Sequence, residues 1–186
     1  MSTENMIKRF EIACTLQAVT ELFTQKEVSI QGGFARDLHY GRLPKDADIF
    51  IHLGNDGKGL FKPEELNLFV TKFVGNSFGP IMSEFMVAYG ESDKDDFAER
   101  HYGVLKLYFT DHSFSVDLIF TKPSSTKESL ESFDCNLNQF FINKEGLPEH
   151  LKKEPTELVF STKPIRSCRI TKMIDLAKSI GVTVNE

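Results

Sequence analysis

Several features are scarce in this sequence, and each scarcity excludes a class of protein. There is no tryptophan, and the only cysteines, Cys14, Cys135 and Cys168, lack the paired spacing of a zinc site. Basic residues are outnumbered, 22 against 27 acidic ones, so the net charge of -5 argues against general affinity for nucleic-acid backbones. No apolar run approaches ~18 residues and the amino end is polar, so we expect neither a membrane span nor a signal peptide. We therefore expect a cytoplasmic protein with buried thiols in a reducing compartment.

The length of 186 residues suits one compact domain with a small helical extension. Apolar spacing predicts helices and strands in alternation. The helices are expected over 7–23, 34–40, 63–74 and 165–180, and the strands over 28–31, 47–53, 81–89, 103–109 and 114–120. Because the last two strands form a hairpin, the fold class is α+β, with a mixed, mostly antiparallel sheet flanked by helices. We divide the chain into a domain over 1–160 and a C-terminal helix over 161–186.

The stretch from Gly32 to Asp48 carries most of the functional signal. Gly32 and Gly33 follow a strand and precede a helix, a pattern that lets the backbone approach an anion such as a phosphate. Asp46 and Asp48 are two residues apart at the start of a strand, so both carboxylates lie on one face and can bind the same cation or cation pair. The same spacing at Asp93 and Asp95 falls in an acidic loop and is attributed to chance.

A third carboxylate, Asp117, interrupts an otherwise apolar strand. Such a residue lies either at a sheet edge or beside a cation. A parallel neighbouring strand that carries Asp46 and Asp48 would supply that cation.

The run GGFARDLHYGRLPKDADIFI, from Gly32 onward, resembles the signature of a known family. It is similar to that of class II CCA-adding tRNA nucleotidyltransferases and bacterial poly(A) polymerases, within the polymerase-beta-like nucleotidyltransferase superfamily. The resemblance implies that Asp46 and Asp48 bind catalytic metals and that Gly32 and Gly33 lie against a triphosphate. It further implies that Arg36 and Lys45 face phosphate, although a structural salt bridge between Arg36 and Asp37 is the alternative.

Two later stretches resemble further motifs of the same family. Asp134 and Asn138 match positions of its Arg-Arg-Asp-Phe-Thr-Ile-Asn segment, with Phe133 in place of the arginine before the aspartate. Asp134 as a helix cap is the alternative. Arg166, Arg169 and Lys172 match a helix with basic residues at every third position, with Lys163 in place of the aspartate that normally precedes its proline. This basic face binds either a triphosphate or nucleic acid, or it is simply solvated.

The resemblance implies a nucleotidyltransferase head domain, with 161–186 as a neck-like remnant. The expected reaction moves a nucleoside monophosphate from an NTP, with ATP among the candidates, to an acceptor hydroxyl. Asp46, Asp48 and Asp117 would hold two Mg²⁺ ions. An RNA 3′ end such as that of tRNA is the expected acceptor; a protein or small-molecule acceptor and a noncatalytic nucleotide-binding role are the alternatives. The helical neck, body and tail regions that select the base and bind tRNA in the family are not found in this sequence.

Overall fold

The structure is a computed structural model that describes residues 3–87, 96–162 and 165–185, with only the backbone described at residues 96 and 97. The helices are α1 (Thr3–Thr24), α2 (Gly33–His39), α3 (Pro63–Phe78), α4 (Asp96–Arg100), α5 (Thr126–Glu131) and α6 (Ser167–Ser179). The strands are β1 (Val28–Gln31), β2 (Asp46–His52), β3 (Ile81–Val87), β4 (His101–Phe109), β5 (Phe114–Thr121), β6 (Phe140–Ile142) and β7 (Pro148–His150).

The strands form a single seven-stranded sheet in the order β3-β4-β5-β2-β1-β6-β7. Its described pairings are antiparallel apart from β2 with β5, which run parallel. The expected α+β class, with a mixed and mostly antiparallel sheet flanked by helices, is therefore confirmed. The parallel pair needs a long crossover connection, and α3, β3 and β4 provide it.

One face of the sheet is covered by α1 and α3, and this contact forms the main core. Ile12 and Leu16 of α1 and Leu66 of α3 are fully buried in it, as are Ile30 and Ile49 of the neighbouring strands. Alternation along the strands then turns the next residues, including Asp48, toward the opposite face. Packing of α1 and α3 on one side thus leaves the other side available for the acidic residues.

The C-terminal helix α6 packs through a small core of its own. Met173 and Ala177 of α6 are buried against Cys135, Leu137 and Leu158. This contact brings α6 alongside the segment that carries Asp134 and Asn138. The division of the chain at residue 160 stays a prediction.

The sequence expectations differ from the structure mostly at the ends of elements and in the short elements. The first helix begins at Thr3 and the third runs on to Phe78, further than the apolar spacing indicated. Three short elements, α4, α5 and β7, were not expected at all. Asp93, Asp95 and the end of the strand predicted to residue 89 lie outside the described residues.

Two expectations from composition can also be compared with the structure. Cys135 is buried and Cys14 is partly buried, but Cys168 is exposed on α6, so the expectation of three buried thiols is wrong for this one. Within the described ranges, no helix is both long enough and apolar enough to cross a membrane.

Candidate active site

The candidate active site begins with a row of polar side chains across the open face of the sheet. Asp48 of β2 is in register with Asp117 of β5, which is in register with Lys106 of β4. Register partners on neighbouring strands point to the same face and lie about 5 Å apart. The parallel neighbour strand expected for Asp117 is therefore present, and the row places two carboxylates side by side.

The carboxylates of this row carry an unfavourable concentration of negative charge. Burial raises the pKa of Asp48 from 3.8 to about 7, and the charges of Asp117 and Asp46 add to this effect. Burial also raises the pKa of Asp117, against the opposing influence of Lys106. Asp46, at the exposed beginning of β2, completes the group. Carboxylates that repel one another in this way are stabilised by a bound cation.

Lys106 provides one positive charge within this group. Its Nζ lies 3.3 Å from Oδ2 of Asp117, and both side chains are about three-quarters buried, with exposed fractions of 28% and 24%. Burial alone would lower the pKa of Lys106, but the Asp117 carboxylate outweighs burial, and the pKa lies above its ordinary value. The other oxygen of Asp117, Oδ1, is buried and has no hydrogen-bond partner. Asp117 therefore has one oxygen paired and one oxygen available.

Among the described residues, no three His, Cys, Asp or Glu side chains already form a metal site. The acidic residues nevertheless suit one divalent cation. Mg²⁺ prefers carboxylate oxygens, and the unpaired Oδ1 of Asp117 lies in the same row as the partly buried Asp48. Asp46, Asp48 and Asp117 as ligands of two ions remain a prediction.

The turn between β1 and α2 explains its two glycines. Gly32 has φ of 75° and ψ of -132°, a conformation that L side chains rarely adopt. A Cβ at Gly33 would lie 3.4 Å from the Arg36 guanidinium. The first glycine is thus required by the backbone turn, whereas a side chain at the second would make only an ordinary contact with Arg36.

Most of the predicted nucleotide-binding side chains are hydrogen-bonded to one another. The buried Arg36 guanidinium donates to Oδ1 of Asp37, at 3.0 and 2.8 Å, and to Oδ1 of Asn138, at 2.8 Å. Asn138 in turn donates to Asp134 at 2.8 Å, and Arg169 donates to the second oxygen of Asp134 at 2.6 Å. We call this chain the arginine network: Asp37, Arg36, Asn138, Asp134 and Arg169. It joins α2, the segment before β6, and α6.

The arginine network contains the side chains concerned in two of the alternatives left open by the sequence. The salt bridge between Arg36 and Asp37 is present. Asp134 bonds to side chains, and Cys135 is the residue that precedes the short 3-10 helix over Asn136–Asn138. Burial would raise the pKa of Asp134, but its hydrogen bonds from Arg169 and Asn138 lower it overall. Asp134 is therefore an anion that holds Arg169 in place.

A cavity of about 620 Å³ lies between α2, the start of β2 and α6. It has the size of a site for a nucleotide-sized ligand. Eight of the predicted site residues line it: Gly32, Gly33, Arg36, Lys45, Asp46, Asp48, Asn138 and Arg169. Basic and acidic side chains therefore meet in one cavity, as a site for an anionic ligand with a bound cation requires.

The remaining predicted residues lie beside this cavity. Asp134 and Arg166 line a second cavity of about 320 Å³, and Arg169 and Phe133 line both cavities. Phe133 packs edge-to-face on Phe50, at 5.8 Å between ring centroids. Lys163, the other departure from the family pattern, lies outside the described residues.

Several residues of the larger cavity were not assigned a role from sequence. They include Arg42, Asp175 and Ser179, whereas Asp37 was considered only as a salt-bridge partner of Arg36. Arg42 donates to the hydroxyl of Ser179 at 2.7 Å, which connects the loop after α2 to the end of α6. Asp37 and Arg42 lie inside the glycine-to-aspartate motif, and their charges within it were the available signal. Asp175 and Ser179 line the cavity only because α6 packs beside it, and this packing could not be predicted from the sequence.

Comparison with known proteins identifies the fold. A tRNA-processing enzyme aligns with all of this chain at 18% identity and a TM-score of 0.59, over 45% of its own length. A CCA-adding enzyme bound to ATP aligns with 99% of this chain at 16% identity and a TM-score of 0.56, over 43% of its length. The Thermotoga maritima CCA-adding enzyme in complex with tRNA aligns with 97% at 16% identity and a TM-score of 0.58, over 42% of its length.

The chain thus spans less than half the length of these solved structures. No family model matches the sequence, and no curated protein matches it. These alignments confirm the expected fold, a mixed sheet flanked by helices, which this chain shares with the aligned part of the tRNA-processing and CCA-adding enzymes.

Proposed function

We propose that this protein is a metal-dependent nucleotidyltransferase that transfers a nucleoside monophosphate from an NTP to the hydroxyl of an RNA 3′ end. The observation that carries this proposal is the 620 Å³ cavity, in which Arg36, Lys45 and Arg169 share one space with Asp46 and Asp48. A triphosphate needs cationic side chains, and phosphoryl transfer needs its charge neutralised at the reacting phosphate. Both kinds of residue are present in the cavity.

The protein's own residues bind and orient the nucleotide in this proposal. Arg169 is held by Asp134, and Arg36 is held by Asp37 and Asn138, so both guanidinium groups keep fixed positions along the cavity wall. A guanidinium with a fixed orientation loses little side-chain entropy when it binds phosphate. Lys45, which is exposed just before β2, is the proposed cation for the outer phosphates.

Asp46 and Asp48 would hold Mg²⁺, and Asp117 would hold it through the unpaired oxygen Oδ1. A bound Mg²⁺ neutralises charge on the triphosphate and lowers the pKa of an acceptor hydroxyl. Burial raises the pKa of Asp48 to about 7 and the charges of Asp117 and Asp46 add to this effect; such an ion would relieve the repulsion between the carboxylates. In this proposal the carboxylates provide the negative charge that binds the ion, and the strands of the sheet hold the carboxylates in position.

RNA is the proposed acceptor because basic residues of α6 reach the cavity. Arg169 and Lys172 line it together with Asp46 and Asp48, and Arg166 lines the adjoining smaller cavity. The sequence predicted such a basic surface next to the acidic residues for an RNA substrate. The structurally similar enzymes include one bound to ATP and one in complex with tRNA. A cytoplasmic location, where tRNA processing takes place, is part of the same proposal.

The test is incubation of the purified protein with Mg²⁺, each alpha-labelled NTP in turn, and total RNA or cell extract. Labelled RNA and labelled protein are then separated. We expect label on RNA, reduced more than about 100-fold by Asp46→Ala or Asp48→Ala, because the loss of a metal ligand costs several kcal/mol. Asp56→Ala, in an exposed loop, is the matched control.

Each other outcome has a definite meaning. Label on protein would replace the RNA acceptor with a protein one, and no label with any NTP would contradict the proposed activity. Turnover of Asp48→Ala within about tenfold of wild type would show that the carboxylates are not the metal ligands.

A further inference from the structure

Lys106 occupies an unexpected position for a cationic side chain. It continues the row that begins with Asp48 and Asp117, and its ammonium lies 3.3 Å from Asp117. A lysine at a sheet surface normally extends its charge into water. Here the side chain is about three-quarters buried and turned toward the carboxylates instead. The acidic group thus contains a permanent positive charge of its own.

This positive charge competes with a metal ion for the same carboxylate. Oδ2 of Asp117 is paired with Lys106, so only Oδ1 is left for an ion shared with Asp48. A second ion on Oδ2 would have to displace the ammonium or lie against it, and like charges at such a distance repel strongly. Because Lys106 is covalently attached to the sheet, its ammonium has a high effective concentration beside Asp117, and a second ion must compete with it.

The charges of the group lead to the same result. Asp46, Asp48 and Asp117 together with Lys106 leave two negative charges when all four groups are ionised. One divalent cation neutralises that excess, whereas two would leave the group positive before any substrate binds.

We infer that Lys106 takes the place of the second cation that the sequence led us to expect, so that the site binds a single divalent ion through Asp46, Asp48 and Oδ1 of Asp117. The inference rests on the proposed function in one respect: the ion and the proposed catalysis use the same carboxylates. Lys106 is a positioning residue, since it acts through Asp117.

The test counts bound ions directly with Mn²⁺, whose free form is quantified by electron paramagnetic resonance. Titrations are made on the full chain, alone and with a non-hydrolysable ATP analogue. Ions bound to wild type but not to Asp48→Asn are counted as ions of the site. We expect about one such ion for wild type and about two for Lys106→Met, because the thioether leaves Oδ2 of Asp117 free. Lys72→Met, at an exposed position of α3, is the control and should give the wild-type count.

Two ions in wild type would overturn the inference, and this count depends on no variant of Lys106 folding. A single ion in both wild type and Lys106→Met would overturn it as well, because Lys106 would then not be what excludes the second. Failure of the proposed function is detected separately, because it would leave no labelled product or no binding of the ATP analogue. The number of Mn²⁺ ions bound without the analogue would still decide the role of Lys106.

Discussion

Replacing Asp48 with asparagine is expected to stabilise the metal-free protein while abolishing its proposed activity. Raising the pKa of Asp48 from 3.8 to about 7 corresponds to about 4 kcal/mol of unfolding free energy. The folded state holds the proton more tightly than the unfolded chain does. Asp48 therefore does not lower the free energy of unfolding well below pH 3.8, where it is protonated in both states. The loss of stability grows as Asp48 ionises in the unfolded chain and is complete above about pH 7.

The assay is thermal unfolding of wild type and Asp48→Asn in EDTA, at several pH values between 4.5 and 8. The variant should be more stable by about 1 kcal/mol at pH 4.5 and by up to about 4 kcal/mol at pH 8, the latter worth roughly 10 °C in Tm for a chain of this size. Asp56→Asn, in an exposed loop, should show no such gain. Equal stability of Asp48→Asn and wild type at pH 8, or a gain that does not change with pH, would refute the electrostatic reasoning.

Three further outcomes are expected. Asn138→Ala should lower the unfolding free energy in urea by about 2 kcal/mol, because the buried Arg36 guanidinium loses an acceptor; an unchanged midpoint would contradict the arginine network. Gly32→Ala should cost about 1 to 3 kcal/mol by the same measurement because of its positive φ, whereas Gly59→Ala, with open space around it, should be nearly neutral. Mg²⁺ should raise the Tm of wild type but not of Asp48→Asn, and an equal rise in both would place the ion elsewhere.

The positions of the carboxylates could be predicted because they follow from local rules. Asp46 and Asp48 share a face through simple strand alternation, and a charge in the middle of an apolar strand marked Asp117 as their partner. The glycine pair could also be recognised from the sequence, because glycine readily adopts the positive φ that Gly32 has in the turn. These signals depend on residues close together in sequence.

The surroundings of the carboxylates could not be predicted in the same way. Lys106 becomes part of the site only through the register of β4 with β5, which is a pairing across the sheet. The salt bridge between Arg36 and Asp37 was one of the alternatives drawn from the sequence, but the hydrogen bond from Arg36 to Asn138, 102 residues further on, depends on the fold. Strand alternation predicts which face of the sheet a residue lies on, but not which residues lie next to it on adjacent elements. Those adjacent residues decide which charges are paired.

The arginine network has a consequence for how tightly a ligand could be bound. Its five side chains come from three separate parts of the chain and are hydrogen-bonded to one another. Little conformational freedom is therefore left to lose when the cavity is filled, so most of the interaction energy is available as affinity. The same rigidity limits how far α6 can move from α2 to admit a larger molecule. Size selection at this cavity is thus determined by the network that connects its walls.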